Sequence, residues 1–270
     1  MSRNSEIREN IELCRRKIFE TDEKYWNDAK RTAAEKKEWE KRCNDPLTFD
    51  GLICDDSDES CDILYLLKEA TYNGYEKYRN KHGNQKEWFP QERTWDFIQM
   101  TNDLVNCKEL RIESIWPDLC RWTHVFRSVL NDNDLSSYIE LEEKYKNQEA
   151  DFSILRQTAI VNVKKTAGES SSKDDLLKEV AIEFSTLIKD EVEIINPQII
   201  VCCGTFEQAK TIWNPKACCR MKCGSEIFSI ENDGKTCLVV DFCHPSARIK
   251  KAAMFAYAKE ITNEIKTESY

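Results

Sequence analysis

Three features are missing from this 270-residue chain, and each absence removes a class of protein. None of its 13 cysteines forms a Cys-x-x-Cys pair, the spacing typical of zinc and iron–sulfur sites. Its longest apolar runs are short, strand-like stretches such as Ile199–Cys203, so no membrane-spanning helix is expected. The first residues are polar and charged rather than apolar, so secretion is not expected and a cytoplasmic location is predicted.

Positive charge is also in deficit, since the formal net charge is -9. This sign is unfavourable for a protein that binds a polyanion over its whole surface. A local basic cluster can still bind phosphates, so nucleic-acid binding depends on where the Lys and Arg side chains lie.

The cysteines are scattered, and several lie inside apolar stretches, where a free thiol behaves as a small hydrophobic residue. We predict that most are reduced core residues. The tightest group is Cys218, Cys219 and Cys223. A metal site there remains an alternative, although no metal and no small-molecule cofactor is predicted.

The absence of glycine and proline from residues 4–43 predicts one long helix or two helices. Ile7 and Ile11 are spaced at helical intervals, which is typical of an amphipathic scaffold. We therefore predict an N-terminal helical appendage at residues 1–45. An α/β domain at residues 46–270 follows, with a Trp-rich helical insertion at about 75–150.

Apolar runs separated by helical patterns predict an open parallel β-sheet sandwiched by helices. The predicted strands are Cys61–Leu67, Ile154–Val163, Pro197–Gly204 and a hairpin of residues 225–230 and 236–242 around Asn232-Asp-Gly234. The predicted helices span residues 92–110, 118–130, 132–147, 173–195 (with Ser172 as its cap), 205–213 and 247–266.

Four of these strands end near a polar residue or a glycine: Glu69, Asn162, Gly204 and His244. In an open parallel sheet, ligands bind outside the carboxyl ends of the strands. We therefore expect groups from four distant segments to meet in one crevice.

Taken in order, these segments resemble the uracil-DNA glycosylase superfamily. The segment 63–74 occupies the place of its water-activating motif, and 159–165 resembles the strand whose asparagine recognises the flipped base. Residues 196–204 resemble its strand-to-helix segment, and His244-Pro-Ser246 matches the second catalytic motif. The resemblance covers roughly residues 60–85 and 154–266.

The resemblance implies a catalytic pair. His244 is expected to donate a hydrogen bond to the departing base, which becomes negative as the glycosidic bond breaks. Glu69 is expected to position or deprotonate water and to stabilise the cationic sugar. The sequence departs from the family here, because known members carry Asp-Pro-Tyr-His or Asn-Pro-Gly at this place. The alternative for Glu69 is a salt bridge with Lys68 or another cation.

The resemblance also implies a pocket for an extruded base. Asn162 both donates and accepts through one amide, which suits a pyrimidine edge. Tyr72 and Asn73 are expected to form the pocket wall, and Trp88 or Phe89 to stack on the base. The alternative is a turn-capping role for Asn162 and a core position for the aromatic residues.

Phosphate contacts need donors that flank the pocket, and they position DNA without reading its sequence. The candidates are Lys164, Lys165, Ser246, Arg248, Lys250 and Lys251. Arg248 or Ile249 is also a candidate wedge for the gap that a flipped nucleotide leaves. The alternative is the ordinary solvated face of the last helix.

These residues predict a monofunctional DNA glycosylase that leaves an abasic site. Its DNA substrate would contain uracil or a modified cytosine, such as the glucosylated hydroxymethylcytosine of phage genomes. The superfamily that the sequence resembles includes phage-defence enzymes of this kind, so an antiviral role is a further expectation. The alternative is a catalytically silent module with the same fold that binds modified DNA or a protein partner.

Overall fold

The described residues form a seven-stranded mixed sheet with helices on both faces, and a separate two-stranded sheet. The computed structural model describes residues 2–13, 32–33, 36–37, 47–54, 60–83, 85–90, 94–106, 115–131, 136–146, 151–168 and 174–267. Within these ranges, no helix combines the length and apolar character needed to cross a membrane.

The strands of the described residues are β1 Leu47–Thr48, β2 Gly51–Leu52, β3 Ile63–Leu67, β4 Thr94–Trp95, β5 Thr158–Asn162, β6 Ile199–Cys203, β7 Cys219–Arg220, β8 Glu226–Asn232 and β9 Lys235–Phe242. The helices are α1 at residues 3–13, α2 Tyr72–His82, α3 Phe97–Asn106, α4 Trp116–Asn131, α5 Tyr138–Lys144, α6 Asp174–Glu183, α7 Ser185–Ile195, α8 Phe206–Trp213 and α9 Lys251–Thr267. One 3-10 turn, Ser153–Gln157, precedes β5.

Four parallel strands form the centre of the sheet, in the order β5-β3-β6-β9. The sheet as a whole is not purely parallel, which corrects the prediction of a parallel sheet. Strand β2 pairs antiparallel with β5, and β8 pairs antiparallel with both β9 and β7. The hairpin turn is tight because Asp233 and Gly234 both adopt positive φ, as expected from the Asn-Asp-Gly sequence.

Alternating side chains on the central strands feed two hydrophobic cores, one on each face. On one face Tyr65 and Phe242 pack with Trp122 and Phe126 of α4 and with α9. On the other face Leu66 and Val161 pack with α6, α7 and α8. Both faces are covered, as nearly continuous apolar strands require.

Helix α1 is attached to the edge of this sheet. Ile7 and Ile11 are fully buried in the core that contains Leu66. The Asn4 side chain donates from Nδ2 to the Leu52 carbonyl and accepts from the Leu52 backbone N–H, both at 2.9 Å. The amide therefore satisfies the outer edge of β2. The predicted boundary at residue 45 lies outside the described residues.

The predicted Trp-rich insertion contains α2 to α5, and its large side chains pack into the core. Trp95, Trp116 and Trp122 are all nearly inaccessible to solvent. The single helix predicted at 173–195 is two helices, which meet at Phe184 (φ −102°, ψ 14°). Its predicted cap, Ser172, lies outside the described residues.

Candidate functional site

The carboxyl ends of the four parallel strands lie side by side at one edge of the sheet. In chain order β3 comes first and β5 second, yet β6, the third, lies on the other side of β3. The chain therefore changes direction between β3 and β6, and ligands bind at such switch points. Adjacent strands are about 4.8 Å apart, so the ends of β5 and β9 are separated by about 14 Å.

His244 lies beside this switch point. A Cβ built on Gly204, which directly follows β6, would be 3.5 Å from the His244 Cβ and 3.6 Å from the Lys68 Cε. The backbone N–H of Gly204 also donates to the Phe242 carbonyl at 2.8 Å. The segments that follow β3, β6 and β9 thus meet at Gly204, whose positive φ of 68° favours glycine.

The hydrogen bonds of His244 define which ring nitrogen carries its proton. The backbone N–H of Ser246 donates to Nδ1 at 3.1 Å, and the Ser246 hydroxyl lies 2.7 Å from the same atom. Because Nδ1 accepts, the proton of the neutral ring is on Nε2. Burial lowers the pKa of His244 below its ordinary 6.5, and the nearby positive charge of Lys68 lowers it further. At neutral pH the ring is therefore an uncharged Nε2–H donor.

Glu69 is held by an ion pair on the β5 side of the switch point. Its Oε2 lies 2.9 Å from Lys164 Nζ, and both side chains are less than 8% exposed (6% and 7%). A Cβ on Gly168 would be only 2.0 Å from Glu69 Oε2, so the carboxylate packs directly against that glycine. The salt bridge with Lys68 or another cation that was considered for Glu69 is thus present, with Lys164 as a partner.

Asn162 ends β5 and is fixed by Asp50. Its backbone N–H donates to Asp50 Oδ2 at 2.8 Å, and its Nδ2 donates to Asp50 Oδ1 at 2.7 Å. The side chain is buried, and its Oδ1 has no hydrogen-bond partner among the described residues. The carboxamide therefore presents an unused acceptor at the strand end.

Lys165 completes the same buried cluster and is unavailable to DNA. Its Nζ donates to Asp50 Oδ2 at 2.8 Å and to Glu191 Oε2 at 2.5 Å, and all three side chains are 0% exposed. Burial lowers the pKa of Lys165, but the two carboxylates outweigh it and raise that pKa above its ordinary value. Burial raises the pKa of Glu191; the Lys165 charge lowers it, and the Asp50 charge raises it further. The predicted phosphate contact of Lys165 is wrong, because the ammonium is sealed from solvent.

Lys164 also departs from its predicted phosphate role. Its side chain is 7% exposed, pairs with Glu69 and lies 3.5 Å from the Ala167 carbonyl. Its charge therefore compensates a carboxylate within the site.

The segment after His244 is exposed to solvent. Ser246, Arg248 and Lys250 are exposed, and Ile249 is 49% exposed despite being a large aliphatic residue. Lys251 differs from them, because its ammonium contacts the Asp118 carboxylate and donates to the Pro245 carbonyl at 3.1 Å.

Of the two candidates for stacking on the base, Trp88 and Phe89, Trp88 is committed to the core. Trp88 is 6% exposed, lies in the core and donates from Nε1 to Asp103 Oδ2 at 2.6 Å. Phe89 packs edge-on against Tyr75 at 5.9 Å between ring centroids. Trp88 is thus a core residue rather than a stacking platform. Tyr72 and Asn73 begin α2, and their side chains lie outside the described residues.

Three residues of the site were not predicted as site residues from the sequence. Lys68 was visible as a polar strand end but was considered only as a partner for Glu69. Asp50 lies 112 residues before Asn162, and Asp118 lies 133 residues before Lys251. No local pattern indicates pairs so distant in sequence.

The cysteine-rich segment offers no metal cage. Cys218 and Cys219 are exposed, and Cys223 is partly buried. Within the part of the chain that the structure describes, no three His, Cys, Asp or Glu side chains are grouped to hold a metal ion.

Comparison with known proteins returned nothing: no family model, no curated protein and no solved structure matches this chain. The resemblance to the uracil-DNA glycosylase superfamily therefore stays a prediction.

Proposed function

We propose that this chain is a DNA glycosylase that hydrolyses the N-glycosidic bond of a flipped, non-standard pyrimidine. The observation that carries the proposal is the position of His244 beside the switch point of the sheet, with Nδ1 accepting from the Ser246 backbone N–H and Nε2 left as the donor. A fixed, uncharged donor is suited to a leaving base, because its hydrogen bond strengthens as negative charge develops.

The proposed reaction needs only water as co-substrate. The bond between the sugar C1′ and the base nitrogen breaks, and the electron pair leaves with the base. His244 Nε2–H stabilises this developing anion. Water adds its oxygen to C1′, its proton passes to solvent or base, and an abasic site remains. Glu69, already paired with Lys164, contributes by orienting that water.

DNA binding is assigned to the exposed segment after His244. Ser246, Arg248 and Lys250 supply donors for phosphates next to the site. Ile249 is suited to enter the duplex, because an exposed aliphatic side chain gains apolar contact when it replaces an extruded base. This segment gives the acidic protein a local basic surface.

The substrate we favour is a modified cytosine of the kind found in phage DNA, with uracil as the simpler alternative. Support comes from the first motif, in which Glu69-Ala-Thr-Tyr72 replaces the proline-containing runs of the family. An antiviral role in the cytoplasm follows from that substrate as part of the proposal.

One observation favours a second candidate, a silent module that binds modified DNA without cleaving it. The Glu69 carboxylate is buried, and the adjacent Lys164 ammonium offsets its charge. A carboxylate that is buried and paired in this way has little access to a water molecule. Under this alternative, replacing Glu69 leaves biological activity intact.

The two candidates separate in one assay. Duplexes that contain a single uracil, hydroxymethylcytosine or glucosylated hydroxymethylcytosine are incubated with the protein, and alkali-labile sites are scored. The glycosylase is expected to cleave at least one, and Glu69→Gln and His244→Ala to lose most of that turnover. Binding of a modified duplex with no base release from any substrate would establish the silent module.

A further inference from the structure

Of the two polar atoms of the Asn162 carboxamide, one has a hydrogen-bond partner and the other has none among the described residues. Its nitrogen donates to Asp50 Oδ1 at 2.7 Å, whereas its oxygen is buried without a partner in the described part of the chain. A buried acceptor that lacks a hydrogen-bond donor lowers the stability of the folded protein. A ligand with an N–H group would supply the missing donor to this atom, which belongs to the last residue of a central strand.

Asp50 prevents the Asn162 amide from rotating so that its oxygen and nitrogen exchange places. A carboxylate offers only acceptors, so the amide nitrogen must face it. The opposite orientation would bring the Asn162 oxygen against Asp50 and leave both atoms unsatisfied. Asp50 is itself held, because its Oδ2 also accepts from the Asn162 backbone N–H and from Lys165 Nζ, both at 2.8 Å.

We propose that Asp50 is a positioning residue that sets the polarity of base recognition. By holding the Asn162 nitrogen, it leaves Oδ1 as the recognition atom, so the site selects a base whose edge carries an N–H donor. This inference rests on the proposed function and names a property of the same site. Sequence reasoning had assigned both donor and acceptor roles to Asn162.

Pyrimidines differ in where they carry such a donor. Cytosine and its 5-substituted derivatives carry it on the exocyclic N4, and uracil carries it on N3. Methylation removes the donor from N3-methyluracil and N4,N4-dimethylcytosine. N4-methylcytosine retains one N–H and is a control for the added bulk.

The first test changes the ligand and leaves the protein intact. Affinity is measured by fluorescence anisotropy for duplexes that carry one of these five bases opposite guanine or adenine, with the 5-hydroxymethyl group present on every base of the cytosine series. Loss of the donor is expected to weaken binding about 10- to 100-fold relative to the parent base. N4-methylcytosine should bind within about threefold of cytosine. Equal binding of parent and donor-free bases in both series overturns the proposal.

The second test changes Asp50 and leaves the ligand intact. Asp50→Asn allows the Asn162 amide to turn, because the new side chain offers both a donor and an acceptor. The preference for donor-bearing bases over their methylated forms is then expected to fall at least tenfold. The control is Glu191→Gln, which contacts Lys165 in the same cluster but not Asn162. It should lower stability and leave the preference unchanged.

The outcomes separate this inference from the proposed function. Release of modified bases together with indifference to methylation rejects the role of Asp50 alone. Failure to release a base from any modified duplex, together with failure to bind one more tightly than ordinary DNA, rejects both. If Asp50→Asn does not fold, the ligand series with the unaltered protein still decides the question.

Discussion

The carboxyl ends of the four parallel strands form two halves, and the polar groups of these halves differ in their exposure to solvent. At the ends of β5 and β3, Asn162, Lys165 and Glu69 are buried and joined to oppositely charged or hydrogen-bonding partners. At the ends of β6 and β9, His244 is partly exposed, and the segment from Ser246 to Lys250 is open to solvent. One half is closed and the other is accessible.

The difference indicates a division of labour within the proposed site. A buried network of ion pairs and hydrogen bonds holds its members in one geometry, which is what recognition of a base edge requires. An exposed loop adapts to a large partner such as a duplex and admits it without unfolding the core. His244 belongs to the junction, since it follows a core strand and precedes the exposed loop.

The closed half is the more sensitive to mutation. Lys165→Met removes the ammonium that Asp50 and Glu191 share and leaves two buried carboxyl groups without that ion-pair partner. We expect it to lower the free energy of unfolding by about 3–5 kcal/mol, the usual effect of breaking a buried ion pair. Urea denaturation followed by circular dichroism measures this change.

Lys216→Met is the matched control, because Lys216 is exposed. It should change the free energy of unfolding by no more than about 0.5 kcal/mol. If both substitutions have equally small effects, the closed half is not a stabilised cluster.

The open half is expected to respond in activity rather than in stability. His244→Ala removes the proposed donor to the leaving base, so kcat for base release should fall about 100- to 1000-fold. The control is His124→Gln, since His124 is also half-buried and burial lowers its pKa to about 4. It bonds Tyr145, away from the strand ends, and should retain full activity. Equal losses in both variants would contradict the role of His244.

Substitutions at the contact between Glu69 and Gly168 test how the closed half holds the Glu69 carboxylate. Gly168→Ala places a methyl group where Glu69 Oε2 lies and should displace the carboxylate, lowering activity about 10- to 100-fold. Glu69→Asp withdraws the carboxylate by one methylene. The double variant should therefore lose less free energy of unfolding than the sum of the losses in the two single variants. A double-mutant cycle measures that coupling. Strict additivity would show that the side chain is not held against Gly168.

Much of the fold was predictable from local sequence, whereas the closed half was not. Apolar runs followed by polar residues marked β3, β5, β6 and β9, and Asn232-Asp-Gly234 marked the hairpin. The break at Phe184 was missed because residues 173–195 carry neither glycine nor proline. The burial of Lys165 depends on Asp50 and Glu191, which are distant in sequence, so its charge alone indicated a surface.

Ion pairs also explain why the sequence wrongly indicated that the Lys164 and Lys165 side chains are exposed. Lys164 and Lys165 are adjacent, and their side chains leave the chain in different directions, toward Glu69 and toward Asp50. Two neighbouring lysines in a loop are typical of a phosphate contact. A tertiary fold that supplies a carboxylate to each removes both from solvent.

The smallest expected effect links the two halves through Lys68, the cation that follows β3. Burial, and then the charge of Lys68, keeps the pKa of His244 below 6.5. Lys68→Met removes the second influence, so the His244 pKa should rise, and the acid limit of activity should move to higher pH. At pH 7.5 the ring stays neutral in both proteins, and turnover should change little. Lys77→Met, an exposed substitution in α2, is the control and should leave the ring titration unchanged. A ¹H–¹⁵N titration of the imidazole in both variants decides the matter, because an unaltered His244 pKa would mean that the β3 half of the edge does not influence the proposed donor.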